Sequence, residues 1–131
     1  MANDLLHKEI TDQILKAFYR VYNTLGDGFL EKVYENALAI ELRALGLQVA
    51  QQKQIKVYYG SSPVGDYYAD LVINGVVIIE VKAATALHPA HDAQIGNYLK
   101  ATDIEVGMLL NFGEKPEFKR RLLTNDRKKR R

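Results

Sequence analysis

Two acidic residues and a lysine lie in two neighbouring stretches rich in β-branched residues. Asp70 lies in the first stretch, and Glu80 and Lys82 lie two positions apart in the second, on one face of a strand. A buried carboxylate needs a cation partner, either a lysine or a metal ion. Two carboxylates from adjacent strands supply the oxygen ligands preferred by Mg²⁺ (or Mn²⁺), and a lysine beside them can orient a water molecule and offset charge on a phosphate. The pattern therefore indicates metal-assisted phosphodiester hydrolysis.

The same residues also permit a purely structural interpretation, in which Lys82 forms an ion pair with Glu80 or Asp70 at a sheet edge. The turn at Asn74-Gly75 separates the two interpretations. A strict two-residue turn places Asp70 opposite Ile79, so that the two acids point to opposite sides of the sheet. A three-residue loop with a glycine bulge, or a bulge within either strand, brings them to one face. The metal hypothesis predicts one of these irregularities.

A polar stripe is expected on the helix that follows these strands. His91, Gln94 and Tyr98 share one face at helical spacing. If this face lies near Lys82, the amide of Gln94 and the hydroxyl of Tyr98 can hold a phosphate or a water molecule. The alternative is a polar helix edge with Tyr98 partly in the core.

Hydrophobic periodicity predicts two helices before the strands. The first is capped by Asn3 or Asp4 and ends at Gly26. The second spans residues 29–45 and ends before Gly46, where a left-handed residue is expected. Its inward residues are predicted to be Leu30, Val33, Tyr34, Ala37, Leu38 and Leu45.

After Gly46 the period of the pattern changes from 3.6 to 2 residues. Strands are predicted at residues 48–59, 66–73, 76–82, 106–112 and 118–123, with a helix at 90–101. The third strand is apolar on both faces up to Glu80, so it should be central and covered on both sides. The order α-α-β-β-β-α-β-β predicts an α/β fold with a mixed β-sheet flanked by helices.

The composition is that of a single folded domain. The chain has 131 residues, of which 47% are hydrophobic and 26% charged. The absence of cysteine excludes disulfides, thiolate zinc or iron–sulfur clusters and a cysteine nucleophile. No apolar run is long enough to span a bilayer, and charges interrupt the first ten residues where a signal peptide needs an apolar stretch. We expect a cytoplasmic protein that does not act at a membrane.

The net charge of +2 conceals a basic C-terminal end and an acidic body. Residues 119–131 hold eight Lys/Arg and one Asp, whereas the rest of the chain holds ten Lys/Arg and fifteen Asp/Glu. We divide the chain into a domain at 1–123 and a basic tail at 124–131. The tail is consistent with a nucleic-acid partner or with a solvated, frayed end. The candidate nucleic-acid-binding residues are Lys100, Arg127, Lys128, Lys129, Arg130 and Arg131.

Several segments, in this order, resemble a known family. Gly28-Phe29-Leu30-Glu31-Lys32-Val33-Tyr34 matches the signature G-x-x-E-x-x-Y of the small bacterial GxxExxY proteins. The resemblance covers roughly residues 5–118 and continues through Tyr68-Ala69-Asp70-Leu71, Ile79-Glu80-Val81-Lys82, His91-Asp92-Ala93-Gln94, Tyr98-Leu99-Lys100 and Gly107-Met108-Leu109-Leu110-Asn111-Phe112. This group is usually placed in the PD-(D/E)XK nuclease superfamily, and the helix with QxxxY is similar to its RecB-like branch.

The resemblance implies a restriction-endonuclease-like core and a metal-dependent nuclease, with DNA as the substrate. It assigns Asp70, Glu80 and the Val81 carbonyl to Mg²⁺, and Lys82 to the attacking water. Glu31 would be a further or outer ligand, although its place near a helix N-terminus is also favourable electrostatically. Gln94 and Tyr98 would support the water or the scissile strand. Ala69 stands where the superfamily motif has proline.

Two other functions compete with a nuclease. One is a non-catalytic nucleic-acid-binding or adaptor module that retains the fold, and the other is a metal-free structural domain. Small nucleases of this kind often form dimers, so a homodimer is an additional expectation.

Overall fold

A computed structural model describes residues 6–129 and has the predicted order of elements. Two helices, α1 and α2, precede three strands, β1 to β3, after which α3 leads to β4 and β5. The bounds are α1 Lys8–Leu25, α2 Glu31–Ala44, β1 Val49–Tyr59, β2 Ser62–Ile73, β3 Val77–Lys82, α3 Pro89–Ala101, β4 Val106–Phe112 and β5 Pro116–Leu122, followed by a 3₁₀ helix, Asn125–Arg127. The helix α1 follows His7, and the expected caps Asn3 and Asp4 lie outside the described residues.

The five strands form one sheet in the order β1-β2-β3-β4-β5. Neighbouring strands are antiparallel except β3 and β4, which are parallel and connected through α3. The strand β3 is central, and its residues are buried up to Val81, as its apolar sequence predicted. The chain therefore has an α/β fold, with a mixed sheet of the restriction-endonuclease type flanked by helices.

Helices cover both faces of this sheet. The helices α1 and α2 pack on one face around Phe18, Tyr34 and Phe112, and the rings of Tyr34 and Phe112 stack at 4.5 Å. On the other face, α3 contributes Ile95 and Leu99 to a smaller core. The two layers leave the lysine end of β3 between the N-terminal ends of α2 and α3.

The prediction for the buried face of α2 was partly wrong. Leu30 is 81% exposed, and Val33 and Leu45 are also exposed. Tyr34 and Leu38 are buried as predicted, and the helix also buries Glu35, Ala39 and Leu42. Stacking of Tyr34 on Phe112 fixes the rotation of the helix, which turns Val33 towards solvent. Glu35 is tolerated on this face because its carboxylate has hydrogen-bonding partners.

The β2–β3 connection is a three-residue loop, as the metal hypothesis predicted. Asn74 and Gly75 both have positive φ, at 52° and 68°. Strand pairing begins with Ile73 opposite Val77 and continues through Val72–Ile78 to Leu71–Ile79, where it stops. Asp70 and Glu80 are the next residues of the two strands, and the Glu80 carboxylate accepts from the Asp70 N–H.

A second irregularity occurs where β1 passes Asp70. Leu71 packs on the α1/α2 side of the sheet, but Ala69, two residues earlier in the same strand, packs on the α3 side. Regular alternation would place both side chains on one face. In the paired strand, Gln52 has a φ of 52°, which few non-glycine residues adopt. The alternation of side chains between the two faces of the sheet is therefore shifted at Gln52 in β1 and at Asp70 in β2.

The C-terminal residues dock against the loop between α3 and β4. The backbone N–H of Asn125 donates to Glu105 Oε2 over 2.8 Å. Lys128 Nζ donates to the carbonyl oxygens of Thr102 and Ile104 over 2.9 and 2.8 Å. Contacts with the rest of the chain thus continue past residue 123, up to Lys128. Within residues 6–129, no helix is long and apolar enough to cross a membrane.

Candidate active site

The strands β2 and β3 separate immediately after the Leu71–Ile79 pair, and two carboxylates occupy the gap. The backbone N–H of Asp70 donates to Glu80 Oε2 over 2.9 Å. The backbone N–H of Val81 donates to Asp70 Oδ2 over 2.8 Å. Each acid therefore binds the backbone of the opposite strand, and the register brings the two carboxylates together.

Burial and mutual repulsion disfavour the charged forms of both acids. Glu80 is 2% exposed. Burial and, to a smaller extent, the negative charge of Asp70 raise its pKa to about 8, against the opposing effects of the Asp70 N–H and Lys82. Burial also raises the pKa of Asp70, although the Val81 N–H and Gln52 act in the opposite direction. Two adjacent acids in this state would be stabilised by a cation.

Lys82 lies beside the acids, but its hydrogen bond is to a neutral amide. Its Nζ donates to Gln94 Oε1 over 2.9 Å, and Gln94 Nε2 donates to the hydroxyl of Tyr98 over 3.1 Å. The predicted polar stripe of α3 therefore faces Lys82. In the described part of the chain, neither Asp70 nor Glu80 forms an ion pair, so the structural Lys82 ion pair is absent there.

Tyr98 is largely buried at the end of this chain of hydrogen bonds. Burial and the negative charge of Glu80 raise the pKa of its hydroxyl above the ordinary value. The hydroxyl therefore stays protonated at neutral pH. The hydroxyl oxygen accepts a hydrogen bond from Gln94, and the hydroxyl proton remains available for a hydrogen bond to another group.

The G-x-x-E-x-x-Y segment joins the start of α2 to the lysine end of β3. Glu31 is exposed, and its Oε2 accepts a hydrogen bond from the backbone N–H of Ala83 over 3.3 Å. The hydroxyl of Tyr34 donates to the Gly26 carbonyl over 2.6 Å and accepts from the Phe29 N–H over 3.1 Å. The tyrosine therefore holds the turn before α2, and the glutamate connects that helix to β3.

Two residues that the sequence analysis did not single out also contact this site. Glu35 is 4% exposed and accepts from Gln51 and Gln52 over 2.9 and 2.8 Å. Gln52 also donates to Asp70 Oδ1 over 3.2 Å, so it connects the two carboxylates. A sequence signal existed for Glu35, because it lies one helical turn after Glu31. Nothing in the sequence indicates the positive φ of Gln52.

Asn111 holds the backbone that follows Lys82. It is fully buried, its Oδ1 accepts from the Ala84 N–H over 2.9 Å, and its Nδ2 donates to the Ala84 carbonyl over 2.9 Å. The approach is close, because a Cβ at Gly113 would lie 2.0 Å from that carbonyl oxygen. Asn111 and Glu31 thus both constrain the two residues after Lys82. The sequence analysis included Asn111 in a motif but gave it no role.

Replacing Asn111 with leucine should lower the free energy of unfolding by about 2–5 kcal/mol. The change keeps a similar side-chain volume but leaves the N–H and carbonyl of Ala84 without partners, at about 1–3 kcal/mol for each group. Denaturant unfolding measures the loss. Asn23, which is exposed on α1, provides the control, since its leucine variant should change stability by no more than about 0.5 kcal/mol. Equal effects in the two variants would contradict the role of Asn111.

The acids at this site fit a hard divalent cation with few protein ligands. Among residues 6–129, no group of three or more His, Asp or Glu side chains is arranged to hold a metal. A cation bound at this site would therefore have two carboxylate ligands, from Asp70 and Glu80. Mg²⁺ is commonly bound through one or two carboxylates, with water and substrate oxygens completing its coordination. The buried, unpaired state of these two acids is the structural reason to expect a cation here.

The basic candidates lie in three different surroundings. Lys100 is exposed on α3, and Arg127 and Lys129 are exposed near the C-terminal end. Lys128 is bound to the backbone carbonyls described above, so its ammonium is engaged within the chain. Arg130 and Arg131 lie outside the described residues.

The comparison with protein families agrees with this fold. The model of the PD-(D/E)XK nuclease superfamily matches residues 8–121, which is most of the chain. The chain belongs to this superfamily. The matched segment includes Asp70, Glu80 and Lys82.

A comparison with solved structures supports the fold but does not indicate an activity. The PD-(D/E)XK chain is similar to a solved structure described as the crystal structure of SSO0001, with a TM-score of 0.57 and 16% sequence identity. The match covers 74% of this chain and 52% of the other chain, so this chain spans about half the length of that structure. At this identity the likeness supports the fold alone. No curated protein gives a significant match.

Proposed function

We propose that this PD-(D/E)XK protein is an Mg²⁺-dependent nuclease that acts on DNA and belongs to the GxxExxY group of the RecB-like branch. One observation carries the proposal. Asp70 and Glu80 are brought together between two strands, no ion pair joins either of them to another residue of 6–129, and Lys82 lies beside them. A purely structural site would be expected to pair these acids with the lysine.

The proposed roles follow from the contacts of each side chain. Asp70 and Glu80 would hold Mg²⁺ with the Val81 carbonyl, and Glu31 would act nearby as an outer ligand. The bound ion would offset the charge of the two carboxylates and of the phosphate. Lys82 would orient the attacking water through its ammonium group, while Gln94 and Tyr98 keep the lysine in place. Water would add to phosphorus and release its proton to solvent, the P–O bond to the leaving oxygen would break, and that oxygen would take up a proton from solvent.

The choice of DNA rests on the superfamily and on the distribution of charge. The body of the chain is acidic, so positive charge must be supplied locally by the ion, by lysines near the site and by the C-terminal end. The finer family assignment is supported by the contacts of Glu31 and Tyr34, because both define the geometry of the turn and of the segment after Lys82.

The decisive experiment compares the wild-type protein with Asp70→Asn. Calorimetry should detect Mg²⁺ or Mn²⁺ binding to the wild type and at least a tenfold weaker affinity in the variant, because the amide removes one anionic ligand. Cleavage of labelled single- and double-stranded DNA should require the ion and disappear in the variant. Asp66→Asn is the matched control, since Asp66 is an exposed acid on the same strand, bound to Gln54.

The other outcomes separate the alternatives. Metal binding without cleavage of DNA or RNA would favour the adaptor module. An absence of metal binding, with wild-type thermal stability in Asp70→Asn, would favour the metal-free structural domain.

Substituting alanine at the four basic residues Arg127, Lys129, Arg130 and Arg131 should weaken DNA binding and reduce its salt dependence. For every phosphate that the variant no longer neutralises, the slope of log K against log salt should fall by about 0.7–0.9. Lys128 is kept, because it anchors the segment to Thr102 and Ile104. Fluorescence anisotropy across a salt series measures the slope, and an unchanged slope would show that these residues do not bind the DNA.

A further inference from the structure

A groove outside the acid pair lies between the β1–β2 hairpin and the C-terminal half of α3. Its volume is ≈ 700 Å³, within the range of about 300–1,000 Å³ found for ligand sites. Lys56, Tyr58 and Tyr67 line it from the hairpin, and Asn97 and Lys100 line it from the helix. This combination of aromatic rings, ammonium groups and an amide is not explained by the fold.

The groove adjoins the candidate active site. The ring of Tyr67 contacts that of Tyr98, with centroids 5.9 Å apart. The hydroxyl of Tyr98 is bound to Gln94, which in turn binds Lys82. Because Gln94, Asn97 and Ala101 follow one another on one face of α3, the groove runs along the helix away from Lys82.

Charge and exposure indicate the kind of ligand that the groove would take. Its lining contains two lysines and no acid, and neither lysine forms an ion pair with a described residue. Asp66, opposite Lys56 in the strand pairing, is bound by Gln54. Tyr58 and Tyr67 are 54% and 48% exposed, which leaves ring surface available for stacking. Positive charge next to exposed aromatic faces is typical of proteins that bind single strands.

We propose that this groove binds a single-stranded segment of nucleic acid next to the scissile phosphate. Tyr58 and Tyr67 stack on bases, whereas Lys56 and Lys100 contact phosphates. Asn97 supplies hydrogen bonds to base or sugar. The inference rests on the proposed nuclease function and narrows its substrate to strands whose bases are unpaired on this side of the site, since the bases of a duplex are already stacked on each other.

The test measures binding in EDTA, so that it does not depend on cleavage. Fluorescein-labelled oligonucleotides of about 12 nucleotides serve as probes, as single-stranded DNA, single-stranded RNA and duplex DNA. The wild type should bind single strands at least tenfold more tightly than duplex. Tyr58→Ala should weaken single-strand binding by about 5- to 100-fold, whereas Tyr58→Phe should retain it, because stacking needs the ring and not the hydroxyl. Lys100→Ala should lower the salt slope by about 0.7.

Two controls match these variants. Tyr59→Ala removes the neighbouring tyrosine, which is 82% exposed and does not line the groove. Lys16→Ala removes an exposed lysine from α1, on the opposite layer of the sheet. Thermal melting verifies that each variant is folded. Comparison of the single-stranded DNA and RNA probes identifies the preferred nucleic acid. Tight binding of either probe supports the proposal that the groove binds single strands.

The proposed function and the groove can fail separately. Single-strand binding that is lost in Tyr58→Ala, in a wild type that cleaves nothing, would support the groove and contradict the nuclease. Wild-type binding and KM in Tyr58→Ala and Lys100→Ala, in a protein that cleaves, would overturn the groove and leave the nuclease intact. Stronger binding to duplex than to single strands would also overturn it.

Discussion

Lys82→Met should reduce metal-dependent cleavage by about 10²–10⁴-fold while leaving nucleic-acid affinity within a few-fold of the wild type. Methionine keeps most of the side-chain length but removes the ammonium to which we assign the orientation of the attacking water. The buried acids remain in place, because the hydrogen bonds between Asp70, Glu80 and the strand backbones do not involve the lysine. The loss should therefore fall on kcat rather than on substrate binding.

Single-turnover cleavage with saturating protein, combined with anisotropy in EDTA, separates these two effects. Lys16→Met is the control, since Lys16 is exposed on the far layer of the fold. Cleavage at the wild-type rate in Lys82→Met would remove the lysine from the mechanism. A parallel loss of binding and cleavage would instead make it a residue for substrate binding.

Glu80→Gln should make the metal-free protein more stable above pH 8, by about 2–4 kcal/mol. The pKa of Glu80 is raised from 4.5 to about 8, mainly by burial and then by the charge of Asp70. The folded state therefore holds the proton more tightly than the unfolded state. The contribution of this group to stability is most favourable below pH 4.5, declines as the pH rises towards 8, and is constant above that value. Glutamine removes the decline and still accepts the hydrogen bond from Asp70.

Chemical denaturation across this pH range in EDTA measures the difference, with Glu9→Gln, an exposed acid on α1, as the control. Added Mg²⁺ should reverse the order of stability. It should stabilise the wild type by about 2.7 kcal/mol at a concentration of 100 times Kd, and it should have little effect on the variant. A Glu80→Gln protein less stable than the wild type at every pH, with no response to Mg²⁺ in either, would mean that the carboxylate is a structural group.

The order of elements could be predicted from the sequence because local patterns encode it. The run from Val76 to Val81 predicted a central strand, and the structure buries it on both faces. Gly46, with φ of 85°, ends the region of α2 as expected. The three-residue loop at Asn74 was one of the irregularities that the sequence analysis allowed, but turn residues alone did not choose among them.

The buried face of α2 was predicted only in part, because apolar residues are spread around much of the helix. Leu30, Val33 and Ile40 are as hydrophobic as the residues that are buried, yet all three are exposed. The rotation of the helix depends on a ring stacked from β4, far away in the sequence. Glu35 was overlooked for the same reason, since Gln51 and Gln52 of β1, together with Lys32 of its own helix, compensate its burial.

The sequence by itself determined the secondary structure, the presence of two acids and a lysine on neighbouring strands, and the polar stripe of α3, because these depend on residue type and short-range spacing. Only the tertiary structure decided that Lys82 binds Gln94 instead of a carboxylate, that Gln52 joins Glu35 to Asp70, and that Asn111 holds Ala84. It also decided that Lys128 is engaged within the chain. Contacts of this kind join elements that are distant in the chain. Strand register and helix docking determine them, and neither is encoded by any single segment.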